Sequence, residues 1–388
     1  MTKTLYLISF YFAPLGRADG VNRSYLSRYL GDEGWNVRVI CADRPRGLLR
    51  NYQTDPSLLD VLGPNVRRYG VPYTGGIATE LAYLAGLQRD PFSQWIPPAL
   101  EETRRVIDVP GIVYAVVPPV SNALIACQIA KERGLPLVLD FRDNEFGLPK
   151  DCVHQSALIA TSTSRSLQDM QKHYDLDPAS RKDLIYYNGY PDITQQKTTA
   201  TATSVTRLIY AGLLNWEQDP ALVARAAHRL AKREPELRGK LQIDYYGPSN
   251  YYTSLTKHAL TNEVAAFKGY ISFAQVQREL QKSSMGISTL VASSKSYCIP
   301  SKVFQYLAAD LPIFAITPPG ALSDLIAETG VGVCASPTDH DSVIKSLEMI
   351  LREPGQIDRL RSNVIKQRNK FSLRGQVATL SSALSELL

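Results

Sequence analysis

Short apolar runs alternate with longer amphipathic segments along most of the chain. Residues 21–30 and 122–133 carry apolar positions at helical spacing, and each lies between two apolar runs. The runs of the first half, which predict buried strands, lie at residues 5–9, 37–41, 111–117, 136–140, 158–161 and 184–187. Buried strands that alternate with helices are typical of a mostly parallel sheet covered on both faces.

The polar, Thr-rich segment 194–206 interrupts this rhythm and predicts a linker, with a long surface loop as the alternative. After it, strands are predicted at 207–211, 241–246, 265–268, 285–289, 313–316 and 332–334, and helices at 220–233, 273–281, 300–309, 321–328 and 339–351. Two α/β repeats without an eightfold pattern favour two Rossmann-like domains over a barrel. We predict domains at 1–193 and 207–371, with a C-terminal helix at 372–388 packing back on the first.

The composition is that of a globular enzyme, and it excludes several classes of site. The chain has 388 residues and a formal net charge of +6, an excess too small to predict nucleic-acid binding. Five cysteines form no CxxC pair and five histidines no HExxH pattern. The sequence therefore predicts no metal site and no disulfide framework, and it favours a cytoplasmic location. No apolar run reaches the roughly 18 residues of a membrane-spanning helix. The apolar N-terminus predicts a first strand, with a leader peptide as the alternative.

Two loops that precede predicted helices are candidate anion sites. Residues 16–23 join a strand to a helix, a context in which backbone N–H groups can meet an anion, although a plain turn is the alternative. Lys302 lies in the first turn of another helix, after Pro300 and Ser301. A lysine there opposes the helix dipole, so it fits best if an anion such as a diphosphate is bound. A solvated surface lysine is the alternative.

The order of short motifs along the whole chain resembles bacterial glycosyltransferase family four, whose fold is GT-B. The motifs that carry the resemblance are Phe10-Tyr11-Phe12-Ala13-Pro14, the segment from Gly34 to Ile40, Asp90-Pro91 with Trp95, Val117-Pro118-Pro119, Asp140-Phe141-Arg142-Asp143, Asn188-Gly189, Tyr210-Ala211-Gly212, and Ile299-Pro300-Ser301-Lys302 with Gln305-Tyr306. The resemblance implies two Rossmann-like domains facing each other across a cleft.

The resemblance also implies the reaction and its participants. A retaining, metal-independent enzyme of this kind moves a sugar from a UDP- or GDP-sugar, with no further cofactor, to a glycan, lipid-linked or small-molecule acceptor in the synthesis of cell-surface polysaccharide or another glycoconjugate. Asp143 and Arg142 would face the acceptor, although Arg142 could instead be an ion-pair partner of Asp140 or Asp143. The residues expected to hold the donor are Gly16, Gly20, Gly212, Gly269, Tyr270, Ile271, Ser301, Lys302 and Gln305.

Some positions depart from the pattern of that family. Its paired glutamates fall on Tyr297 and Gln305, and its diphosphate-clamping Arg and Lys fall on Leu213 and Asp219. These departures motivate a second hypothesis, a catalytically degenerate subunit that binds sugar nucleotides or acts as a scaffold. A nicotinamide-dependent oxidoreductase is a third hypothesis, which the lack of a GxGxxG loop disfavours.

Most of the net positive charge lies in one stretch near the C-terminus. Residues 352–374 contain seven basic and two acidic residues, most of the net +6 of the whole chain. A solvated helix face is one interpretation. The other is peripheral contact with the anionic inner face of the membrane, at roughly 1 kcal/mol for each well-placed cation.

Overall fold

The structure, a computed structural model, describes residues 3–47, 52–88, 90–192 and 205–388. The chain divides into two compact units: the first is Met1–Pro191 with Leu373–Leu388, and the second is Asp192–Ser372. The predicted linker 194–206 lies almost entirely outside the described residues. Each unit is built on one parallel sheet, of seven strands in the first and six in the second.

The first unit alternates strands and helices. Its strands are β1 Lys3–Ile8, β2 Trp35–Arg46, β3 Val66–Thr74, β4 Ile112–Val117, β5 Leu137–Phe141, β6 Leu158–Thr161 and β7 Lys182–Ile185. Its helices are α1 Ala18–Asp32, α2 Ile77–Leu84, α3 Ile96–Val106, α4 Val120–Arg133, α5 Lys150–His154, α6 Ser164–Tyr174 and, from the end of the chain, α15 Leu373–Ser385. The strand order is β3-β2-β1-β4-β5-β6-β7.

The six runs predicted in this half match strands, while β3 has no predicted counterpart. β4 is buried at every position, since helices cover both of its faces, and such a strand appears in the sequence as a continuous apolar run. β3 lies at the edge of the sheet, is buried at only two of its nine positions, and contains Gly70 and Pro72. An edge strand pairs with a neighbour on one side only, so it tolerates proline and polar side chains. The continuous apolar run that marks a buried strand is therefore missing from its sequence.

The second unit repeats the pattern. Its strands are β8 Thr206–Ala211, β9 Leu241–Tyr246, β10 Ala265–Gly269, β11 Met285–Thr289, β12 Ile313–Ile316 and β13 Gly332–Ala335. Its helices are α7 Ala221–Arg233, α8 Tyr251–Leu255, α9 Lys257–Leu260, α10 Phe273–Gln281, α11 Ser301–Ala308, α12 Ala321–Thr329, α13 His340–Arg352 and α14 Gln356–Gln367. The strand order β10-β9-β8-β11-β12-β13 makes β8 the point from which the chain winds in both directions. The two parallel sheets confirm the predicted pair of Rossmann-like folds.

The C-terminal helix α15 packs on α1 within the first unit. Trp35 is fully buried beneath it and donates a hydrogen bond from Nε1 to Ser381 Oγ at 2.9 Å. Leu373 N also donates to Tyr190 O at 2.8 Å, where the last helix begins.

The sequence analysis missed one contact between cysteines. It predicts no disulfide framework, and the structure joins one pair, Cys127 on α4 and Cys152 on α5, in a disulfide. The two helices pack side by side, and this brings together residues separated by 25 positions. Cys41 is a free, buried thiol, and burial raises its pKa to about 12.

Candidate functional site

The carboxyl edge of the second sheet holds a buried lysine. Lys302 is only 7 % exposed, although it belongs to the first turn of α11. Its Nζ donates to Gln218 Oε1 at 2.7 Å and lies 3.7 Å from the ring centroid of Tyr210. Tyr210 is on β8 and Gln218 is in the loop that follows that strand. The lysine is therefore held at the point where the strand order of the sheet reverses, which is where open α/β sheets bind ligands.

Lys302 has no carboxylate partner within the part of the chain that the structure describes. Burial lowers the pKa of its ammonium group well below the ordinary lysine value. The dipole of α11 opposes a positive charge in the same place. Together these observations describe a cation that lacks a counter-charge, so the site favours an anion.

Gly212 lies directly against this lysine. Its φ of +145° falls in the region that favours glycine, and a Cβ atom there would come within 3.2 Å of Lys302 Cε. The loop after β9 packs directly against Gly212, because a Cβ on Gly247 would lie 2.2 Å from Gly212 O. Glycine at these two positions allows the loops after β8 and β9 to pack closely beside the lysine.

The other residues predicted to hold the donor in this unit also follow strands or begin α11. Gly269 has a φ of +77° and accepts a hydrogen bond from Gly247 N at 3.0 Å, beside the exposed Tyr270. Ile271 packs on the small apolar cluster around Tyr306. Ser301 and Gln305 are half-buried, and their side chains form no hydrogen bond with any described residue. The structure therefore places these residues in loops and a helix turn that share the carboxyl edge of the sheet.

The positions that depart from the family pattern do not supply another cation. Leu213 is exposed, and Asp219 forms an ion pair with Arg225 at 2.6 Å and accepts from Tyr252 Oη at 2.7 Å. Tyr297 is buried. Among the described residues at the carboxyl edge of this sheet, Lys302 therefore supplies the buried positive charge.

In the first unit, the structure gives Gly20 a packing role. A Cβ at Gly20 would lie 2.1 Å from Leu15 O, so only glycine lets α1 begin this close to the preceding loop. Gly16 is less constrained, since its Cβ would approach Asp55 Cβ at 3.3 Å. The prediction that both backbones approach the donor stays a prediction.

Arg142 and Asp143, the two residues predicted to face the acceptor, lie in different surroundings. Arg142 is buried and forms an ion pair with Asp140, which is the alternative interpretation given for it above. Its guanidinium also stacks 3.8 Å from the ring centroid of Tyr186 and donates to Tyr186 O at 3.0 Å. Burial alone would lower the pKa of Arg142, but the adjacent Asp140 carboxylate raises it. Asp143 is half-buried and accepts from Asn144 N at 3.0 Å.

Several motif residues serve the packing of the first unit rather than its chemistry. Asp90 accepts a hydrogen bond from Ser121 N at the start of α4 and another from Phe92 N at 2.8 Å. Phe10 stacks on Phe92 at 4.1 Å, and its N–H donates to Asn122 Oδ1 at 3.0 Å. These contacts explain physically why the motifs occur together along the chain.

Sequence reasoning missed two residues near these sites. Gln218 is the hydrogen-bond acceptor of Lys302, and no local pattern marks it. Arg23 is buried on α1, although it belongs to the loop-and-helix segment that the sequence singled out. The available signal was that Arg23 lies at helical spacing from the apolar Leu26 and Leu30.

The basic C-terminal stretch is largely neutralised by nearby acids. Four of its five arginines form ion pairs with carboxylates: Arg352 with Glu234 and Glu348, Arg359 with Glu353, Arg368 with Asp310, and Arg374 with Asp32. This pairing favours the interpretation as a solvated helix face.

None of the helices in the described ranges is long and apolar enough to cross a membrane. No group of three or more His, Cys, Asp and Glu side chains suited to a metal ion occurs among the residues with described positions.

Comparisons with known proteins agree with this description of the fold. No protein-family model matches the chain. It is 29% identical over 128 residues to the probable glycosyltransferase WbjE of Pseudomonas aeruginosa, a match that covers 32% of this chain and 31% of that protein. The chain thus spans about a third of the length of this curated relative.

Solved structures match over nearly the whole length at low sequence identity. Sucrose-phosphate synthase from Thermosynechococcus elongatus is 12% identical with a TM-score of 0.72, and the match covers 99% of both chains. HepE of Anabaena, solved in complex with UDP, is 12% identical with a TM-score of 0.65 and coverage of 99% and 100%. The resemblance to family four in particular stays a prediction. The fold itself is shown, because two Rossmann-like α/β domains of the GT-B type match these structures over their full length.

Proposed function

We propose that this protein is a glycosyltransferase that uses a UDP- or GDP-sugar as donor and acts in the synthesis of cell-surface polysaccharide or another glycoconjugate. The observation that carries the proposal is Lys302, a buried ammonium group without a counter-charge at the start of α11. The match to a probable glycosyltransferase and the UDP complex of a protein with the same fold support it. A nucleoside diphosphate supplies the negative charge that this site lacks.

The reaction would depend on the same charge. When the bond between the sugar and the diphosphate breaks, negative charge develops on the departing phosphate oxygen. A cation already held in place stabilises that charge without reorganisation, and such electrostatic stabilisation is usually the largest contribution to catalysis. Lys302 is held by Gln218 and by the ring of Tyr210, so its position is fixed before the donor arrives.

The neighbouring residues would complete the donor site. The Ser301 hydroxyl and the backbone N–H groups at the start of α11 would donate to the diphosphate. The Gln305 amide oxygen would accept one hydrogen bond from the ribose, with less strength than a carboxylate. Gly269, Tyr270 and Ile271 would frame the base. We further propose that the reaction proceeds with retention and without a catalytic metal, and that Asp143 in the first unit contacts the acceptor.

The test compares UDP binding by Lys302→Ala and by Lys282→Ala, an exposed lysine of the same unit. Loss of a charged hydrogen bond predicts that Lys302→Ala weakens binding by about 1.5–3 kcal/mol, while the Lys282→Ala control binds like the wild type. Isothermal titration calorimetry measures both. Equal UDP affinity in the two variants would refute the proposed donor site.

A second measurement separates an enzyme from a degenerate subunit. The wild-type protein is incubated with UDP- and GDP-sugars, and release of the nucleoside diphosphate is followed with and without candidate acceptors. We expect release that depends on the acceptor and falls in Lys302→Ala. Donor binding without release under any of these conditions would instead favour the binding subunit.

A further inference from the structure

Arg23 is a second buried cation without a carboxylate partner among the described residues, and it lies in the first unit. It is the sixth residue of α1 and is 4 % exposed. Its Nε is buried without a hydrogen-bond partner, and the residue forms no ion pair with any residue in the described ranges. The other buried arginines differ, since Arg38 pairs with Asp108 at 2.5 Å and Arg142 pairs with Asp140.

The surroundings of Arg23 carry an excess of positive charge. Tyr186 is fully buried, and burial raises its pKa, while the charges of Arg142 and Arg23 act in the opposite direction. Asp140 is the carboxylate of this group, and it already accepts hydrogen bonds from Arg142 and from Tyr186 Oη, the latter at 2.7 Å. Both bonds of Asp140 therefore go to Arg142 and Tyr186, and Arg23 forms none with it.

These residues also come from one edge of the first sheet. Arg142 directly follows β5, Tyr186 directly follows β7, and α1 begins after the loop that leaves β1. In a parallel sheet, the segments that follow the strands lie at the carboxyl edge, where ligands bind. The start of α1 has no side-chain cap, and Asp19 in its first turn is paired with Arg17 at 3.7 Å, so the first N–H groups still add to the positive potential.

We propose that Arg23 is an anion-binding subsite that receives a phosphate or carboxylate group of the acceptor. A guanidinium presents several N–H donors in a planar fork that matches both groups. A buried arginine without a counter-charge costs several kcal/mol, and a bound anion would remove that cost. The assignment of the anion to the acceptor rests on the proposed function, whereas anion binding at Arg23 does not.

The test uses inorganic phosphate and glucuronate as probes in a Lys302→Ala background, which removes the other buried cation that lacks a carboxylate partner among the described residues. Thermal unfolding is followed at constant ionic strength, with chloride as the reference anion. We expect saturable stabilisation by at least one probe, with at least a tenfold weaker apparent affinity when Arg23→Gln is added. Phosphate alone would indicate a phosphorylated acceptor, and glucuronate alone would indicate an acidic sugar. Equal stabilisation with and without Arg23→Gln would overturn the proposal.

Control variants separate this result from misfolding and from the donor site. Arg28→Gln removes an exposed arginine of the same helix and should leave probe affinity unchanged. Arg23→Lys keeps the charge and should give an intermediate affinity even if Arg23→Gln does not fold. Arg23→Gln alone should bind UDP as the wild type does. Weaker UDP binding in that variant would assign Arg23 to the donor and refute the acceptor role, and failure of Lys302→Ala to weaken UDP binding would count against the proposed function alone.

Discussion

Replacing Lys302 by methionine should make the ligand-free protein more stable while it weakens UDP binding. The substitution keeps the length and apolar stem of the side chain but removes its charge. Gln218 Oε1 loses its lysine donor, and the Tyr210 hydroxyl within hydrogen-bond distance of it has a single proton for both Gln218 and Leu213 O. The variant therefore removes a buried charge and leaves at most one acceptor of this group without a donor.

The expected magnitude follows from the contacts of the ammonium group. Its burial costs several kcal/mol. Its hydrogen bond to Gln218 stabilises the folded protein by about 1.5–3 kcal/mol. Its contact with the Tyr210 ring stabilises it by about 2 kcal/mol. We expect Lys302→Met to raise the free energy of unfolding by about 1 kcal/mol without ligand, because replacing buried charge by an apolar side chain of similar volume is often stabilising. UDP at a hundred times its Kd should then stabilise the wild type by about 2.7 kcal/mol, but the variant by only about 0.4 kcal/mol if its Kd is a hundredfold weaker.

The difference between wild type and variant should also depend on pH. Burial lowers the pKa of Lys302 in the folded protein, so the ordinary value near 10.5 applies only to the unfolded chain. Below the lowered pKa the ammonium is charged in both states, and its cost to stability is fully present. As pH rises through the lowered pKa toward the ordinary value, the folded protein loses this proton first and the cost disappears. The advantage of Lys302→Met should therefore shrink between neutral pH and about pH 10.

Urea denaturation followed by circular dichroism, with and without UDP and at both pH values, measures these quantities. Lys282→Met, at an exposed position, is the matched control; it breaks only a surface ion pair with Glu279 and should lower stability by less than about 1 kcal/mol. A ligand-free Lys302→Met protein that is less stable than the wild type at neutral pH would show that the ammonium is compensated in the folded state, which would refute the reasoning.

Two further predictions concern the first unit. Gly20→Ala should lower stability by about 1–3 kcal/mol through overpacking against Leu15 O, as measured by thermal denaturation. Gly16→Ala, which has more room, is its control, and equal losses in both would contradict the packing role. Asp140→Asn should cost about 3–5 kcal/mol in urea denaturation, because it leaves Arg142 buried without its carboxylate. Asp108→Asn, at the exposed carboxylate that pairs with Arg38, should cost less, and a reversed order would argue against the buried pair.

Much of the fold could be predicted from the sequence because of one physical condition. A strand of a parallel sheet that is covered on both faces must be apolar at consecutive positions, as β4 and β5 are, so it is visible without an alignment. The condition fails at β3, where the edge position removes the need for apolar side chains. It also says nothing about contacts between elements, and for this reason the Cys127–Cys152 disulfide was not predicted.

The candidate site could be predicted from the sequence only in part. The position of Lys302 just after Pro300 and Ser301 indicated an anion from the chain alone, since a cation in the first turn of a helix opposes its dipole. Whether that lysine is solvated or buried depends on Tyr210 and Gln218, which come from another strand and its loop. Arg142 likewise forms the ion pair with Asp140 that one interpretation gives it, while its contact with the acceptor stays a prediction.

The sequence by itself determined which segments become strands and helices, and which polar residues follow them. The tertiary structure decided which charges have partners. Lys302 and Arg23 are both buried without a carboxylate among the described residues, while Arg38 and Arg142 are buried with one. The physical reason is that desolvation and pairing depend on side chains that are far apart in the sequence and meet only in the folded protein. A local sequence pattern does not show which of them meet.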